Sequence, residues 1–238
     1  MNIIITGATK GIGRAIAERF AATGFDLIVC ARREKDLALM KATLEKKYKI
    51  KCHTFSCNVG DRQSLNSFIE FIKGKFKRID VLVNNAGLFR PGSILTEEEG
   101  LLEELMNVNV LSAYHLTRGI IGLLKKSNKP HIFNMSSIAG IAAYNNGGSY
   151  AITKHALQGL TKNLREELKG DNIRVTAVIP GATWSDSWKG VSIPKKRFIP
   201  AEDIAEMIFA AYSLRQQAVV EEIIIRPLKG DIREEEFG

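Results

Sequence analysis

Ile3-Ile4-Ile5 is apolar throughout and runs directly into a glycine-rich turn and then a helical pattern. A strand without polar alternation is buried on both faces, as strands are in a parallel sheet covered by helices. The arrangement then recurs along the chain. Strand candidates rich in Ile and Val fall at Asn2–Thr6, Asp26–Cys30, Lys51–Ser56, Asp80–Asn84, His131–Ser136, Arg174–Ile179 and Glu222–Arg226. Helical patterns lie between them near 12–23, 34–48, 61–76, 97–125, 149–169 and 201–213, with Asp61 and Ser64 marking one helix start. Such alternation implies right-handed βαβ crossovers and a doubly wound α/β sheet. The chain has 238 residues and no repeat, linker or low-complexity stretch, so one domain over 1–238 is expected.

Composition excludes several classes. Hydrophobic residues make up 45% of the chain, enough for a sizeable core. No apolar run is long enough to span a membrane, and no basic start or small-residue cleavage site precedes Ile3, so the cytoplasm is the expected location. Cys30, Cys52 and Cys57 form no CxxC pair, so they read as small buried hydrophobes and no metal site is expected. The net charge of +8 is spread over helix faces and loops without interleaved aromatics, which argues for a solvated surface and against a nucleic-acid partner.

Thr6-Gly7-Ala8-Thr9-Lys10-Gly11-Ile12-Gly13 joins the first strand to the first helix. Gly7 permits a tight turn, Gly11 lets the backbone approach a pyrophosphate, and Gly13 allows close helix–strand packing. The free N–H groups of the following helix then face the phosphates. This places the chain among Rossmann-type dinucleotide binders, although the spacing is not GxGxxG. An NAD site usually carries an acid at the end of the second strand. Here that strand ends Val29-Cys30-Ala31-Arg32-Arg33, with Lys10 in the turn itself. Guanidinium forks suit a 2′-phosphate, so NADP(H) is the expected cofactor.

Tyr150 and Lys154 stand one turn apart on a helix, so they share a face. An ammonium beside a phenol lowers the phenol pKa and makes it a usable acid near neutral pH. Alone, YxxxK is a frequent chance match. Here Ser136-Ser137 ends the fifth strand, Asn84-Asn85-Ala86-Gly87 ends the fourth, and Asn109 lies in the helix after it.

These motifs together resemble the short-chain dehydrogenase/reductase family over almost the whole chain. The resemblance implies that Tyr150 donates a proton, Ser137 orients a substrate carbonyl, and Lys154 holds the nicotinamide ribose and tunes Tyr150. It implies that Asn109 supports a water linking Lys154 to solvent. It further implies that Asn85, Ala86 and Gly87 line the adenosine side, and that Pro180, Gly181, Thr183 and Ser185 form the turn around the nicotinamide. Asn58-Val59 stands where the family usually has Asp-Val at the adenine. Asn keeps an acceptor oxygen there but lacks the charge. Relatives commonly assemble as homodimers or homotetramers through the fourth and fifth helices.

The substrate is less constrained. Trp184, Trp188 and Phe198, with Leu88, Phe89 and Tyr144, are candidates for an aromatic pocket or for packing of the loop after Pro180. The ending Glu221-Glu222-Ile223-Ile224-Ile225-Arg226-Pro227, with Trp184 and Trp188, resembles bacterial sepiapterin reductases, which reduce pteridine side-chain ketones and, in some cases, other dicarbonyls. Aromatic residues suit a flat pterin, with Asp186 a candidate anchor. A 3-oxoacyl-carrier-protein reductase, drawing an acidic carrier to Lys195-Lys196-Arg197, and a broad-specificity alcohol dehydrogenase remain alternatives. A non-enzymatic NADP-binding sensor is disfavoured by the complete Ser137, Tyr150 and Lys154 set.

Overall fold

A computed structural model describes residues 1–184 and 192–232. Among these, seven strands form one sheet: β1 (Asn2–Thr6), β2 (Asp26–Ala31), β3 (Cys52–Ser56), β4 (Val81–Asn84), β5 (His131–Met135), β6 (Arg174–Pro180) and β7 (Glu222–Ile225). Their order is β3-β2-β1-β4-β5-β6-β7, and every pairing is parallel. The helices are α1 (Gly11–Ala21), α2 (Glu34–Tyr48), α3 (Arg62–Lys75), α4 (Leu101–Met106), α5 (Ser112–Leu124), α6 (Gly148–Leu168) and α7 (Ala201–Ser213). The doubly wound α/β fold expected from the sequence is the fold observed, with strand ends within a residue or two.

Strand residues alternate between two cores. Ile3, Ile5, Leu27, Val29 and Val83 pack with Ile16, Phe20, Met40 and Ile208 of α1, α2 and α7. On the other face, Ile4, Ile28, Leu82 and Ile132 pack with Phe68, Leu116 and Ile120 of α3 and α5. Both faces are covered, which is why the strands read as continuous apolar runs. Each fully buried aliphatic side chain contributes roughly 1.5–3 kcal/mol. Asp61 caps α3 by accepting from the Ser64 N–H at 2.6 Å, at the helix start read from the sequence. Cys30, Cys52 and Cys57 are buried free thiols.

The helix expected over 97–125 is not one continuous α-helix. Gly100, at φ +83°, stands before α4, and a π-turn over Asn107–Leu111 separates α4 from α5. The extra residue of a π-turn rotates the side chains that follow without ending the rod. It does so beside the candidate site.

Buried polar contacts fix α6 on the sheet. Asn84 donates to Asn134 Oδ1 at 2.8 Å, and Asn134 donates to Thr161 Oγ1 at 2.9 Å. Arg165 Nε donates to the Val175 carbonyl at 3.1 Å. The winding direction reverses between β1 and β4, and in open α/β sheets the ligand crevice lies at the carboxyl ends of such strands.

Candidate active site

The glycine turn sits at this switch point. Gly7 and Gly11 have φ of +66° and +51°, conformations that L side chains rarely adopt. A Cβ at Gly13 would overlap the Gly7 carbonyl oxygen and Asn85 Nδ2. The close approach at Gly13 is therefore to the turn and to Asn85, rather than to the strand as the sequence suggested. Asn85 Nδ2 donates to the carbonyls of Thr6 at 2.8 Å and Gly7 at 3.1 Å, while Thr6 Oγ1 accepts from the N–H groups of Asn85 and Ala86. The two strand ends are thus stitched together, and Thr6, a residue the sequence reading did not single out, is the stitch. Ile12 packs partly buried against the core below.

A cleft of about 860 Å³ opens over this turn. Gly7, Thr9 and Lys10 line one part of it, Arg32, Arg33, Asn58 and Val59 another, and Asn85, Ala86 and Gly87 a third. Arg33 Nε lies 2.7 Å from Asp36 Oδ2 in an exposed pair. Asn58 Oδ1 accepts from the Gly60 N–H at 3.2 Å, which leaves its amide protons for a ligand. A glycine turn packed at closest approach and two arginines lining the same cleft fit a dinucleotide bearing an extra phosphate.

Beside Gly87, which adjoins Lys154 Nζ, the Ser137 hydroxyl stands close enough to the Tyr150 phenol to lower its pKa, and it accepts from the Ala139 N–H at 3.2 Å. Its neighbour Ser136 is buried instead, donating to the Lys154 carbonyl at 3.4 Å. Lys154 lies on the face of Tyr150, its Nζ 5.6 Å from the ring centroid and donating to the Met135 carbonyl at 2.8 Å. Burial pushes Tyr150 up to about 12, with the nearby Ser137 hydroxyl opposing it, and burial lowers Lys154 to about 8. The sequence reading expected Lys154 to lower the phenol; in this geometry desolvation of Tyr150 dominates. Buried Asn109 accepts from the Leu88 N–H at 2.8 Å and donates to the Leu88 carbonyl and to Thr153 Oγ1, both at 3.0 Å. Thr153 in turn donates to the Tyr150 carbonyl at 2.8 Å. Asn109 therefore links the loop after β4 to the helix of Tyr150 through Thr153, which the sequence reading missed because a Thr in a helix carries no signal of its own.

Comparison with known proteins decides the family. The model for "short chain dehydrogenase" matches residues 1–195. The chain belongs to the short-chain dehydrogenase/reductase family, whose members are oxidoreductases. It is 34% identical to the sepiapterin reductase of Chlorobaculum tepidum over 98% of each chain. It is 31% identical to the 3-oxoacyl-[acyl-carrier-protein] reductase of Aquifex aeolicus over 93% of each. Among solved structures, the alcohol dehydrogenase of the archaeon Thermococcus sibiricus, complexed with 5-hydroxy-NADP, superposes with a TM-score of 0.89 at 26% identity, covering 98% of each chain.

In this short-chain dehydrogenase, Pro180 ends β6 and the Gly181 N–H donates to the Ile225 carbonyl at 2.7 Å, closing the turn against β7. Thr183 is buried and donates to the Gly181 carbonyl at 3.0 Å. Ser185, Asp186 and Trp188 lie outside the described residues. Of the aromatic candidates, Phe89 meets Tyr150 edge-on at 4.8 Å between centroids. Tyr144 is exposed, and were it ionised it would raise the Tyr150 phenol further. Trp184 instead packs edge-on against buried Phe198 at 5.3 Å. Arg197 donates to the carbonyls of Gly230 and Asp231 at 2.7 and 2.9 Å, tying the C-terminal segment to the loop after β6. No helix among the described residues is long and apolar enough to cross a membrane.

Proposed function

We propose that this short-chain dehydrogenase uses NADPH to reduce the carbonyl of a small substrate, a pteridine side-chain ketone or a related dicarbonyl. One observation carries the reading: buried Lys154 lies one helical turn from Tyr150 with its Nζ over the phenol ring, and Ser137 stands beside that phenol, at the carboxyl ends of the strands where the glycine turn opens. Gly7, Thr9, Lys10, Gly11, Ile12 and Gly13 hold the pyrophosphate. Arg32 and Arg33 take the 2′-phosphate, and Asn58 and Val59 the adenine. Asn85, Ala86 and Gly87 flank the adenosine. Pro180, Gly181, Thr183 and Ser185 enclose the nicotinamide, and Lys154 holds its ribose. When bound, the cofactor supplies hydride from the nicotinamide.

The chain's own groups handle the proton. Tyr150 is loaded at neutral pH, because burial holds its phenol up at about 12. It gives that proton to the substrate oxygen as negative charge develops there, while Ser137 donates to the same oxygen. Lys154 then faces the phenolate from the same helix side. Asn109 supports a water between Lys154 and solvent, from a side chain already anchored to Leu88 and Thr153. Phe89 and Tyr144 supply flat apolar surface beside Tyr150, which suits a planar ring system. Similarity to the Chlorobaculum sepiapterin reductase supports the same substrate class.

The assay is turnover of NADPH deuterated at C4 with pteridine ketones, vicinal diketones, and free or carrier-bound 3-oxoacyl thioesters. Deuterium at the new carbinol carbon of the first two classes is the expected result. Strict dependence on carrier-bound thioester would overturn the substrate class and favour the activity of the Aquifex relative. Binding of NADPH with no turnover of any ketone would leave a cofactor sensor. Assembly as a homodimer or homotetramer is part of the proposal; exposed Leu111 and Ile152 beside α5 and on α6 suit such contacts, and light scattering reads the mass.

A further inference from the structure

Helix α6 carries Tyr150 in its first turn, yet its own N-cap, Gly147, makes no side-chain capping bond. The cap comes from far away in the chain. Glu97, in the loop before α4, accepts from the Ser149 N–H through Oε1 at 2.8 Å and from the Ser149 hydroxyl through Oε2. The contact spans 52 residues of sequence. A carboxylate there satisfies a donor that the helix leaves open and lies at the positive end of its dipole.

The surroundings are shaped to admit it. Gly148 has φ +45°, and a Cβ there would overlap Glu97 Oε1 and the Gly92 carbonyl oxygen, so only glycine lets the loop come this close. The Gly92 N–H donates to the Asn146 carbonyl at 2.9 Å, a second staple between the same two segments. Phe89, at the root of this loop, rests edge-on against Tyr150. Loop and helix start are therefore joined at Glu97, at Gly92 and at Phe89.

We propose that Glu97 is a positioning residue: its carboxylate clasps the start of α6 and so sets the Tyr150 hydroxyl against Ser137 and the substrate oxygen. The inference rests on the reading of Tyr150 as proton donor. It adds that the alignment of Tyr150 depends on a carboxylate that does not touch the reacting atoms.

The test compares Glu97→Ala, Glu97→Gln and Ser149→Ala with wild type, measuring kcat, KM, NADPH affinity and melting temperature. Small misalignments of a reacting group cost rate more than binding, so E97A is expected to lower kcat by about 10- to 100-fold, with NADPH affinity within about twofold. Glutamine keeps an acceptor for the Ser149 N–H and a partner for its hydroxyl, so E97Q is expected to recover kcat to within about threefold of wild type. S149A removes one of the two bonds and should cost about three- to tenfold in kcat. A lower melting temperature with wild-type kcat in folded E97A would overturn the clasp alone. Should E97A not fold, S149A decides, and an unchanged kcat there overturns the proposal. Absence of wild-type turnover, or full turnover in Tyr150→Phe, overturns the functional reading and the clasp with it.

Discussion

Arg32 and Arg33 adjoin in sequence and both line the cleft, yet they are differently engaged. Arg33 is drawn to Asp36, while Arg32 is held through its carbonyl, by the Ser56 hydroxyl. Charge-assisted contacts to phosphate are worth about 1.5–3 kcal/mol, so Arg32→Asp should lower the NADPH-to-NADH ratio of kcat/KM by about 10- to 100-fold. Arg33→Ala should move it less than about fivefold, since an exposed arginine already paired has less to lose. Equal use of both cofactors by the wild type would contradict this. The pH profile follows from Tyr150. Reduction needs the phenol and oxidation the phenolate. With Tyr150 raised to about 12, reductive turnover should keep its proton donor through neutral and mildly alkaline pH, while oxidation of the product alcohol should climb as pH rises. An oxidative rate that peaks at neutral pH would argue against it. At this scale the sequence was informative about placement: Tyr150 and Lys154, one turn apart in the chain, do share a helix face, with Ser137 beside the phenol. It was silent where the decision is burial: nothing in the letters says that desolvation raises the phenol of Tyr150.

Elements were legible wherever apolar runs set them. The strands buried on both faces announced themselves, and Asp61 marked the start of α3. The π-turn over Asn107–Leu111 was not legible, because one inserted residue barely disturbs a helical periodicity that the neighbouring apolar residues maintain. Nor was the Glu97 clasp, since long-range caps leave no local pattern. The glycine turn was legible as a motif, but the partner of Gly13 was not. Gly13→Ala forces a Cβ onto the Gly7 carbonyl and the Asn85 amide, which are backbone and anchored side chain with little room to yield. It should weaken NADPH binding by about tenfold or more, with a destabilisation of about 1–3 kcal/mol, read by fluorescence titration and urea melts. Wild-type affinity in that variant would mean the turn can relax.

Across the whole molecule, two buried titratable groups make stability depend on pH. Lys154 is lowered from 10.5 to about 8 by burial. Below about 8 both folded and unfolded chains hold the proton, and the folded chain bears the cost of the buried charge. Between about 8 and 10.5 only the unfolded chain binds it, so stability from this group rises with pH. Lys154→Met should therefore be more stable than wild type at pH 7, by about 1–2 kcal/mol, lose activity, and see its advantage shrink on going above about pH 8. His131 is held well below 6.5 by burial, with Arg174 and Lys129 adding to the effect. It stacks on Phe133 at 3.9 Å and shares a hydrogen bond with Thr176 at 2.7 Å. The unfolded chain takes a proton there that the folded chain refuses. Stability should fall as pH drops below 6.5, by about 1.4 kcal/mol per unit from this residue, and His131→Gln should flatten that slope in urea melts.

The central claim is that Tyr150 delivers the proton. The most direct measurement sets turnover of a ketone substrate by Tyr150→Phe beside its NADPH affinity, under conditions where wild type is saturated. The account predicts an affinity within about threefold of wild type and a kcat lowered by about a thousandfold, the scale of a lost general acid. A Tyr150→Phe variant that retains kcat within about tenfold of wild type would contradict it, whatever the cofactor binding shows.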